Sequence, residues 1–312
     1  YSEVSDVDYK AYMEYLEGDI TSEKESYIIE QQEYFDGLRQ RLDEIAENSE
    51  LSESTKQAMS KSIENILNSK GVAFERVSEQ YSRLLELKES GVNARFIDEN
   101  IYSTFVSSKT REWNDFALLC LILLIAVPYV FSVEYKNGMI NLIRPTRNGK
   151  TKLFVRKIAV LLLFTLLSFI AVYLPYLIRF ISTYGTNSFA TPIICIFENL
   201  QGSSFSVMGA MIVNLLCSLL LSLAVVSIIT ALSIITESNM FTMVLSTVLI
   251  IIPCLAVYSA ESVRIGWCIA NNCVAALVVA CILSIAISVV MMAISQLKFT
   301  KSRIRRKNNA DS

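Results

Sequence analysis

The residues best suited to binding chemistry lie in one basic stretch, FSVEYKNGMINLIRPTRNGKTKLFVRKIAV, at 131–160. It carries one carboxylate, Glu134, followed four residues later by Gly138, and it separates two long apolar segments. Its cations are Lys136, Arg144, Arg147, Lys150, Lys152, Arg156 and Lys157. Ammonium and guanidinium groups bind phosphates and carboxylates. Charge alone is also typical of a loop that only fixes membrane topology.

Residue types that many enzymes and ion-coupled carriers require are missing from the sequence. It contains no histidine, which excludes histidine-based triads, HExxH zinc sites and imidazole proton relays. The NGKT sequence at 148–151 lacks the first glycine of a phosphate-binding loop. The apolar segments carry none of the carboxylates that proton- or sodium-coupled carriers use. We therefore expect neither an enzyme nor a self-powered carrier, and no cofactor bound by this chain itself.

The seven cysteines do not form a metal-binding pattern. Four fall inside apolar segments, where thiols are ordinary packing groups: Cys120, Cys217, Cys254 and Cys281. The other three lie in or near connections between those segments. A Cys268–Cys273 or Cys195–Cys268 disulfide is an open alternative to free thiols if these connections face an oxidising compartment.

Five apolar runs are long enough to cross a bilayer, since about 20 helical residues span its hydrocarbon core. They lie near 116–133, 158–178, 207–235, 240–260 and 274–297, and none contains Asp, Glu, Lys or Arg. Soluble cores rarely need so many runs of this kind. The sequence predicts an all-α, polytopic helical membrane protein, with a transmembrane domain over 116–297 and a basic tail over 298–312.

Charge is divided unequally along the chain. Residues 1–115 hold 25 of the 30 acidic residues and 13 of the 28 basic ones. Most remaining cations lie in the 134–157 loop and the 298–312 tail, whereas the 179–206 and 261–273 connections are nearly uncharged. Cations accumulate on the cytoplasmic side of membrane proteins. We expect a multi-pass plasma-membrane protein whose loop and tail are cytoplasmic and whose residues 1–115 are extracytoplasmic.

That location requires residues 1–115 to be carried across the membrane. The sequence begins with Tyr1 and shows no basic–apolar–small leader pattern before residue 116. We therefore expect a further span upstream of residue 1, which would give six spans with both ends in the cytoplasm.

Residues 1–115 are predicted to form a helical, coiled-coil-like domain. Ser22 followed by Glu25 matches a capping box at a helix start, and Gly91 is a suitable helix stop. Two apolar stripes recur at helical spacing: Tyr27, Tyr34, Leu38, Leu42 and Ile45, then Met59, Ile63, Ile66, Phe74, Val77, Tyr81 and Leu84. Lys70 occupies a position that the second stripe skips. The stripes predict an antiparallel helical hairpin, serving either as a spacer or as a sensor of an external partner.

Apolar residues inside 134–157 distinguish it from a simple charged loop. An apolar side is supplied by Met139, Ile140, Leu142 and Ile143, and Pro145 breaks the helical pattern after them. Two interpretations are open. The loop either fixes membrane topology only, or contains an interfacial amphipathic helix.

The whole stretch resembles the segment between the second and third spans of permease subunits in type-2 ATP-binding-cassette exporters. In that family a glutamate follows the span and a glycine comes a few residues later. An apolar stretch then precedes an arginine and, as the next span begins, a lysine. Glu134, Gly138, Arg147 and Lys157 match in that order. A large domain between the first and second spans, followed by four more spans, is a known variant of the family.

The resemblance implies a division of labour between two proteins. A separate cytoplasmic ATPase would bind ATP and Mg²⁺ and dock on 134–157. Glu134, Gly138 and Met139–Ile143 would form the coupling helix, with Arg147 and Lys157 as its anchors. A homo- or heterodimer of permeases in the lipid bilayer would enclose the substrate path. Nothing in the sequence indicates a nucleic-acid partner.

Polar residues along the third of the five predicted spans are candidates for lining that path. Asn214, Ser218 and Ser222 recur there at helical spacing. Small polar side chains in membrane helices also serve as helix-packing groups, which is the alternative. Two other functions remain open for the chain as a whole: a non-transporting sensor or mechanotransmission subunit, and a membrane scaffold that works without an ATPase.

Overall fold

A computed structural model describes residues 3–48, 52–136, 151–197, 205–253, 265–271 and 273–301. Within these ranges the chain is all-α, apart from one antiparallel pair of two-residue strands. It divides into two compact units. We call Tyr1–Phe105 with Thr186–Met208 the polar unit, and Val106–Gly185 with Gly209–Ser312 the apolar unit.

The polar unit is built on helices of unequal length. They are α1 (Glu3–Leu16), α2 (Ser22–Glu47), α3 (Glu53–Ile66), α4 (Val72–Glu89) and α5 (Glu99–Ser107), the last two residues of α5 belonging to the apolar unit. Strand β1 (Gly18–Asp19) pairs with β2 (Arg95–Phe96), and the ion pair of Asp19 with Arg95 reinforces the pairing at 2.7 Å. The predicted hairpin partners, α2 and α3–α4, are both present and pack together. Helix α1, which no sequence pattern predicted, also packs against α4.

The start of α2 and the end of α4 lie close to the residues that the sequence predicted, and the start of α2 is shifted by one residue. The side chain of Thr21, not Ser22, accepts the backbone N–H of Lys24 at 3.4 Å, so the predicted cap was wrong by one residue. Gly91 ends α4 as predicted, with a φ of 83°. The amides of Gly91 and Val92 donate to Lys88 and Leu87, each at 3.0 Å. This is the Schellman arrangement, which needs a left-handed residue after the helix.

The buried face of α2 differs from the predicted stripe by one residue at two positions, where Ile28 and Phe35 replace Tyr27 and Tyr34. Ile28, Phe35 and Leu38 are buried, whereas Tyr34 is 51% exposed. The ring of Phe35 stacks on Phe74 of α4 with a centroid separation of 5.3 Å. Two aromatic residues stand side by side at 34 and 35, and the less polar ring takes the core position because it has no hydroxyl to solvate.

The position skipped by the second stripe coincides with a change in helix type. Leu67–Gly71 forms a π-helical turn between α3 and α4. A π turn accommodates one extra residue, so apolar side chains on both sides of it keep nearly the same phase. Phe74, Val77 and Leu84 are buried as predicted, while Met59 at the far end is 47% exposed. The apolar stripe therefore buries its second half.

Buried polar side chains connect α1, α4 and the segment after β2. The Tyr9 hydroxyl donates to Gln80 Oε1 at 3.3 Å, and Gln80 Nε2 donates to the carbonyl of Ile97 at 2.7 Å. Burial is the main cause that raises the pKa of the Tyr9 hydroxyl, with Glu99 and Asp98 adding to it. Because Gln80 is 3% exposed, both of its polar ends need these partners.

The connection at 179–206 contributes directly to the polar unit. Ser188 Oγ donates to Glu17 Oε1 at 2.5 Å, and an Arg83 guanidinium nitrogen donates to the carbonyl of Cys195 at 2.8 Å. Phe189 stacks on Phe105 with a centroid separation of 6.4 Å. From Thr186 onward, the nearly uncharged segment is thus part of this unit and not a plain linker.

The apolar unit contains long helices of membrane-spanning length. The main ones are α6 (Lys109–Lys136), α7 (Thr151–Tyr184), α8 (Val207–Thr236) and, near the C-terminus, α11 (Val274–Lys301). Each supplies an apolar stretch long enough to cross a membrane, which makes four such helices in the described part of the chain. These helices overlap four of the five predicted spans. α6 begins before residue 116, so it also carries Glu112.

The remaining predicted span, 240–260, is described in part. α9 (Asn239–Ser246) continues into a π turn at Thr247–Ile251, and residues 254–264 lie outside the described ranges. The apolar helix Asn239–Ile250 alone is shorter than a membrane span. A short helix, α10 (Ile265–Ala270), precedes α11. Cys195, Cys268 and Cys273 are free thiols, so neither disulfide alternative is present.

Candidate functional site

Most of the predicted docking loop lies outside the described residues. Gly138, Met139, Ile140, Leu142, Ile143 and Arg147 belong to that part. Glu134 lies in the last turn of α6, and Lys157 lies near the start of α7. The structure therefore shows the contacts at the two ends of the 134–157 loop. We take these contacts as the candidate site.

Lys157 joins the two helices that flank the loop. Its ammonium group donates to the carbonyl of Val130 in α6 at 2.6 Å and lies 4.9 Å from the centroid of the Phe131 ring. Its position over an aromatic face adds a cation–π attraction to the hydrogen bond. Lys157 thus ties the start of α7 to the end of α6.

Three phenylalanine rings meet beside this contact, and we call them the phenylalanine cluster: Phe131 of α6, Phe154 of α7 and Phe299 of α11. The ring centroids are 6.0 Å apart for 131–154, 6.2 Å for 131–299 and 5.7 Å for 154–299. Phe131 and Phe299 are 0% and 1% exposed. Edge-on and tilted rings at such distances attract each other beyond simple burial. The cluster packs both ends of the loop against the last long helix.

A second set of contacts at the same end joins α8, α9 and α11. Lys298 Nζ donates to the carbonyl of Ile235 at 3.1 Å, near the end of α8. The hydroxyls of Thr236 and Thr242 lie 2.5 Å apart across the turn between α8 and α9. Ser233 Oγ donates to the carbonyl of Pro128 at 3.0 Å, which connects α8 with α6. A displacement of the loop ends would therefore be passed to several helices at once.

The predicted path residues are buried between helices. Asn214, Ser218 and Ser222 are 9%, 3% and 1% exposed. Asn214 Nδ2 donates to the carbonyl of Val106 at 3.3 Å, and Ser218 Oγ donates to Asn214 Oδ1 at 3.4 Å. Ser222 Oγ donates within α8, to the carbonyl of Leu219 at 2.7 Å. These hydrogen bonds fit the alternative role of the three residues, which is helix packing. A substrate path lined by them stays a prediction.

Glu112 is a buried residue that the sequence analysis did not select. It lies in the first turn of α6 and is 4% exposed, and the amide of Gly266 donates to its Oε2 at 3.4 Å. A side chain at position 266 would collide with the Glu112 carboxylate and with the carbonyl of Val106. Glycine is therefore required there. The sequence does contain a signal for this residue, a carboxylate one helical turn before an apolar run. It was missed because the predicted span began at residue 116.

No three residues among His, Cys, Asp and Glu come together as a metal site within the described ranges. The described contacts of the site are ring packing and hydrogen bonds from lysine ammonium groups to backbone carbonyls. Comparison with known proteins found no matching family model, no matching curated protein and no matching solved structure.

Proposed function

We propose that this chain is a transmembrane permease subunit of an exporter powered by a separate ATPase of the ATP-binding-cassette class. The proposal rests on the residue pattern Glu134–Gly138–Arg147–Lys157 between two long apolar helices. The structural observation that supports the proposal most strongly is the set of contacts at the two ends of the 134–157 loop. Both flanking helices are bonded to each other through Lys157 and packed on α11 through the phenylalanine cluster.

The mechanism follows from this construction. ATP binding would close the ATPase and move the loop docked on it. Because Phe131 and Phe154 both contact Phe299, the movement would tilt α6, α7 and α11 together instead of bending one helix. Residues of this chain would transmit movement, and ATP and Mg²⁺ would be bound by the partner. A dimer of permeases would enclose the substrate path.

Loop substitutions test the proposal in the complex. The chain is co-expressed with each candidate ATP-binding-cassette ATPase from its own genome, purified and reconstituted in proteoliposomes, where ATP hydrolysis is measured. Gly138→Pro and Glu134→Ala are expected to keep membrane insertion but to lower coupled ATP hydrolysis several-fold. Asn148→Ala, in the same loop but outside the pattern, is the matched control. Unchanged hydrolysis in both loop variants would contradict the proposal, and repeated failure to co-purify an ATPase would favour a scaffold.

A sensor or mechanotransmission subunit is the second candidate, and one observation favours it. The polar unit includes Thr186–Met208, which follows α7 and leads into α8, as well as the residues before α6. Contacts of Ser188 with Glu17 and of Arg83 with Cys195 hold these parts together. An external partner bound to the polar unit would therefore act on α6, α7 and α8 without any substrate crossing.

The two functions differ in what crosses the membrane. With the ATPase active, an exporter moves a substrate into or out of sealed vesicles, whereas a sensor subunit shows ATP-dependent changes in its polar unit without transport. Distance measurements between spin labels at Lys61→Cys and Glu86→Cys would report such changes. ATP-dependent accumulation of a tested compound would establish the exporter over the sensor.

A further inference from the structure

A groove of about 600 Å³ runs along the apolar unit between α7, α8 and α11. Its lining includes Phe154 and Leu162 of α7, Leu223 of α8, and Ile285 and Gln296 of α11. Most of the lining is aliphatic or aromatic, and the walls are open to the surroundings: Val155 is 59% and Val289 63% exposed. We propose that this groove binds an acyl chain of an anionic phospholipid.

The length of the groove along its helices matches the hydrocarbon thickness of one bilayer leaflet. At 1.5 Å per helical residue, Phe154 to Leu162 covers about 12 Å and Ile285 to Gln296 about 16 Å. Half of a hydrocarbon core of about 30 Å is about 15 Å. Because α7, α8 and α11 are long and apolar enough to span a membrane, the groove opens sideways into hydrocarbon, where acyl chains are the surrounding molecules.

The charge around the groove selects the headgroup. In sequence, α7 begins within the basic 134–157 loop, and α11 ends within the basic 298–312 tail. Lys152 and Arg156, in the first turns of α7, are exposed at this end. In the last turns of α7 the helix itself carries one cation, Arg179, and the Arg111 guanidinium lies over the Tyr176 ring. Basic clusters at one end of an intramembrane groove attract anionic headgroups, and the acyl chain then lies along the apolar walls.

The site does not depend on the exporter proposal. It requires membrane insertion of the apolar unit, and it would serve a sensor or scaffold equally well. The groove and the phenylalanine cluster share one residue, Phe154. A bound chain would pack against the same helix start that holds the end of the loop.

Photolabelling tests the proposal with the full chain. The protein is reconstituted in phosphatidylcholine vesicles that contain phosphatidylglycerol with a diazirine at the end of one acyl chain, and labelled peptides are mapped. We expect labelling at α7 and α11 residues of the groove. Unlabelled phosphatidylglycerol should reduce it several-fold more than equal phosphatidylcholine does. Labelling spread evenly over all exposed faces of α11, or equal competition by both lipids, would overturn the proposal.

Matched variants separate the groove from general lipid contact. Ala293→Trp fills the groove and should reduce the labelling several-fold, whereas Leu283→Trp, exposed on another face of the same helix and outside the groove lining, should not. Lys152→Glu should weaken the preference for phosphatidylglycerol, while Arg179→Glu at the other end of α7 should leave it. If a second copy of the chain covers the groove, Ala293→Cys will cross-link copies and the groove will stay unlabelled, which also overturns the proposal.

Discussion

At the scale of single residues, the contacts of Phe299 concentrate the packing at the loop end of the apolar unit. Its ring is 1% exposed and touches both Phe131 and Phe154. Phe299→Ala should leave a cavity and lower the free energy of unfolding by about 3 kcal/mol. Thermal unfolding in detergent measures this loss. Ile294→Ala, where the side chain is 41% exposed, is the control and should cost far less. Equal effects of the two variants would contradict the importance of the cluster.

Asp98 provides a residue-scale test of pH dependence in the polar unit. Its Oδ1 accepts the amide of Ile101 at 3.1 Å, and the side chain is 7% exposed. Burial is the main cause that raises its pKa above the ordinary value of 3.8, with Glu17 adding to it and backbone amides opposing it. A raised carboxyl pKa favours folding at acid pH, and this contribution disappears as the pH rises through the pKa of the folded state.

Asp98→Asn keeps a capping oxygen but cannot ionise. The variant should therefore gain stability relative to the wild type as the pH increases from 3 to 7. Asp98→Ala cannot ionise either, and because it lacks the cap it should be about 1 kcal/mol less stable than Asp98→Asn at every pH. Circular dichroism melting over this pH range measures both differences. A wild-type advantage over Asp98→Asn that grows with pH would show that the sign is wrong.

At the scale of elements, periodicity predicted helices reliably but their buried faces less well. The α2 and α3–α4 helices, the stop at Gly91 and most of the apolar stretches were found as predicted. The choice of Tyr34 over Phe35 was wrong because both satisfy the same spacing, and only the contact with Phe74 decides between them. The role of residues 186–208 could not be predicted either, since it depends on contacts such as Ser188 with Glu17, 171 residues apart.

The π turn at Leu67–Gly71 gives a test of how helix phase is set. Deleting exposed Lys70 should convert the π turn to α-helix and preserve the burial of Phe74 and Val77, with a small change in melting temperature. Deleting Ser78 instead should rotate all later side chains by about 100° and expose Leu84. Thermal unfolding and proteolysis compare the two deletions. Equal damage from both would mean that the π turn does not absorb the skipped position.

At the scale of the whole molecule, the order of units along the chain constrains its crossing of a membrane. The chain leaves the polar unit after Phe105, forms α6 and α7, and re-enters the same unit at Thr186. If both helices span the bilayer, an even number of crossings returns the chain to its starting side. This agrees with the charge pattern, which predicts a cytoplasmic location for the basic 134–157 loop between α6 and α7.

Cysteine labelling in intact cells tests this arrangement. A membrane-impermeant maleimide should modify Lys61→Cys, at an exposed position of α3, without lysis. Lys152→Cys, at an exposed position of α7 next to the loop, should react only after the cells are permeabilised. The parent chain, with its seven native cysteines, measures the background. Labelling of Lys61→Cys only after lysis would reverse the orientation, and labelling of both in intact cells would mean that α6 does not span. In either case the 134–157 loop could not meet a cytoplasmic ATPase, so the result decides whether the proposed source of energy can reach this protein.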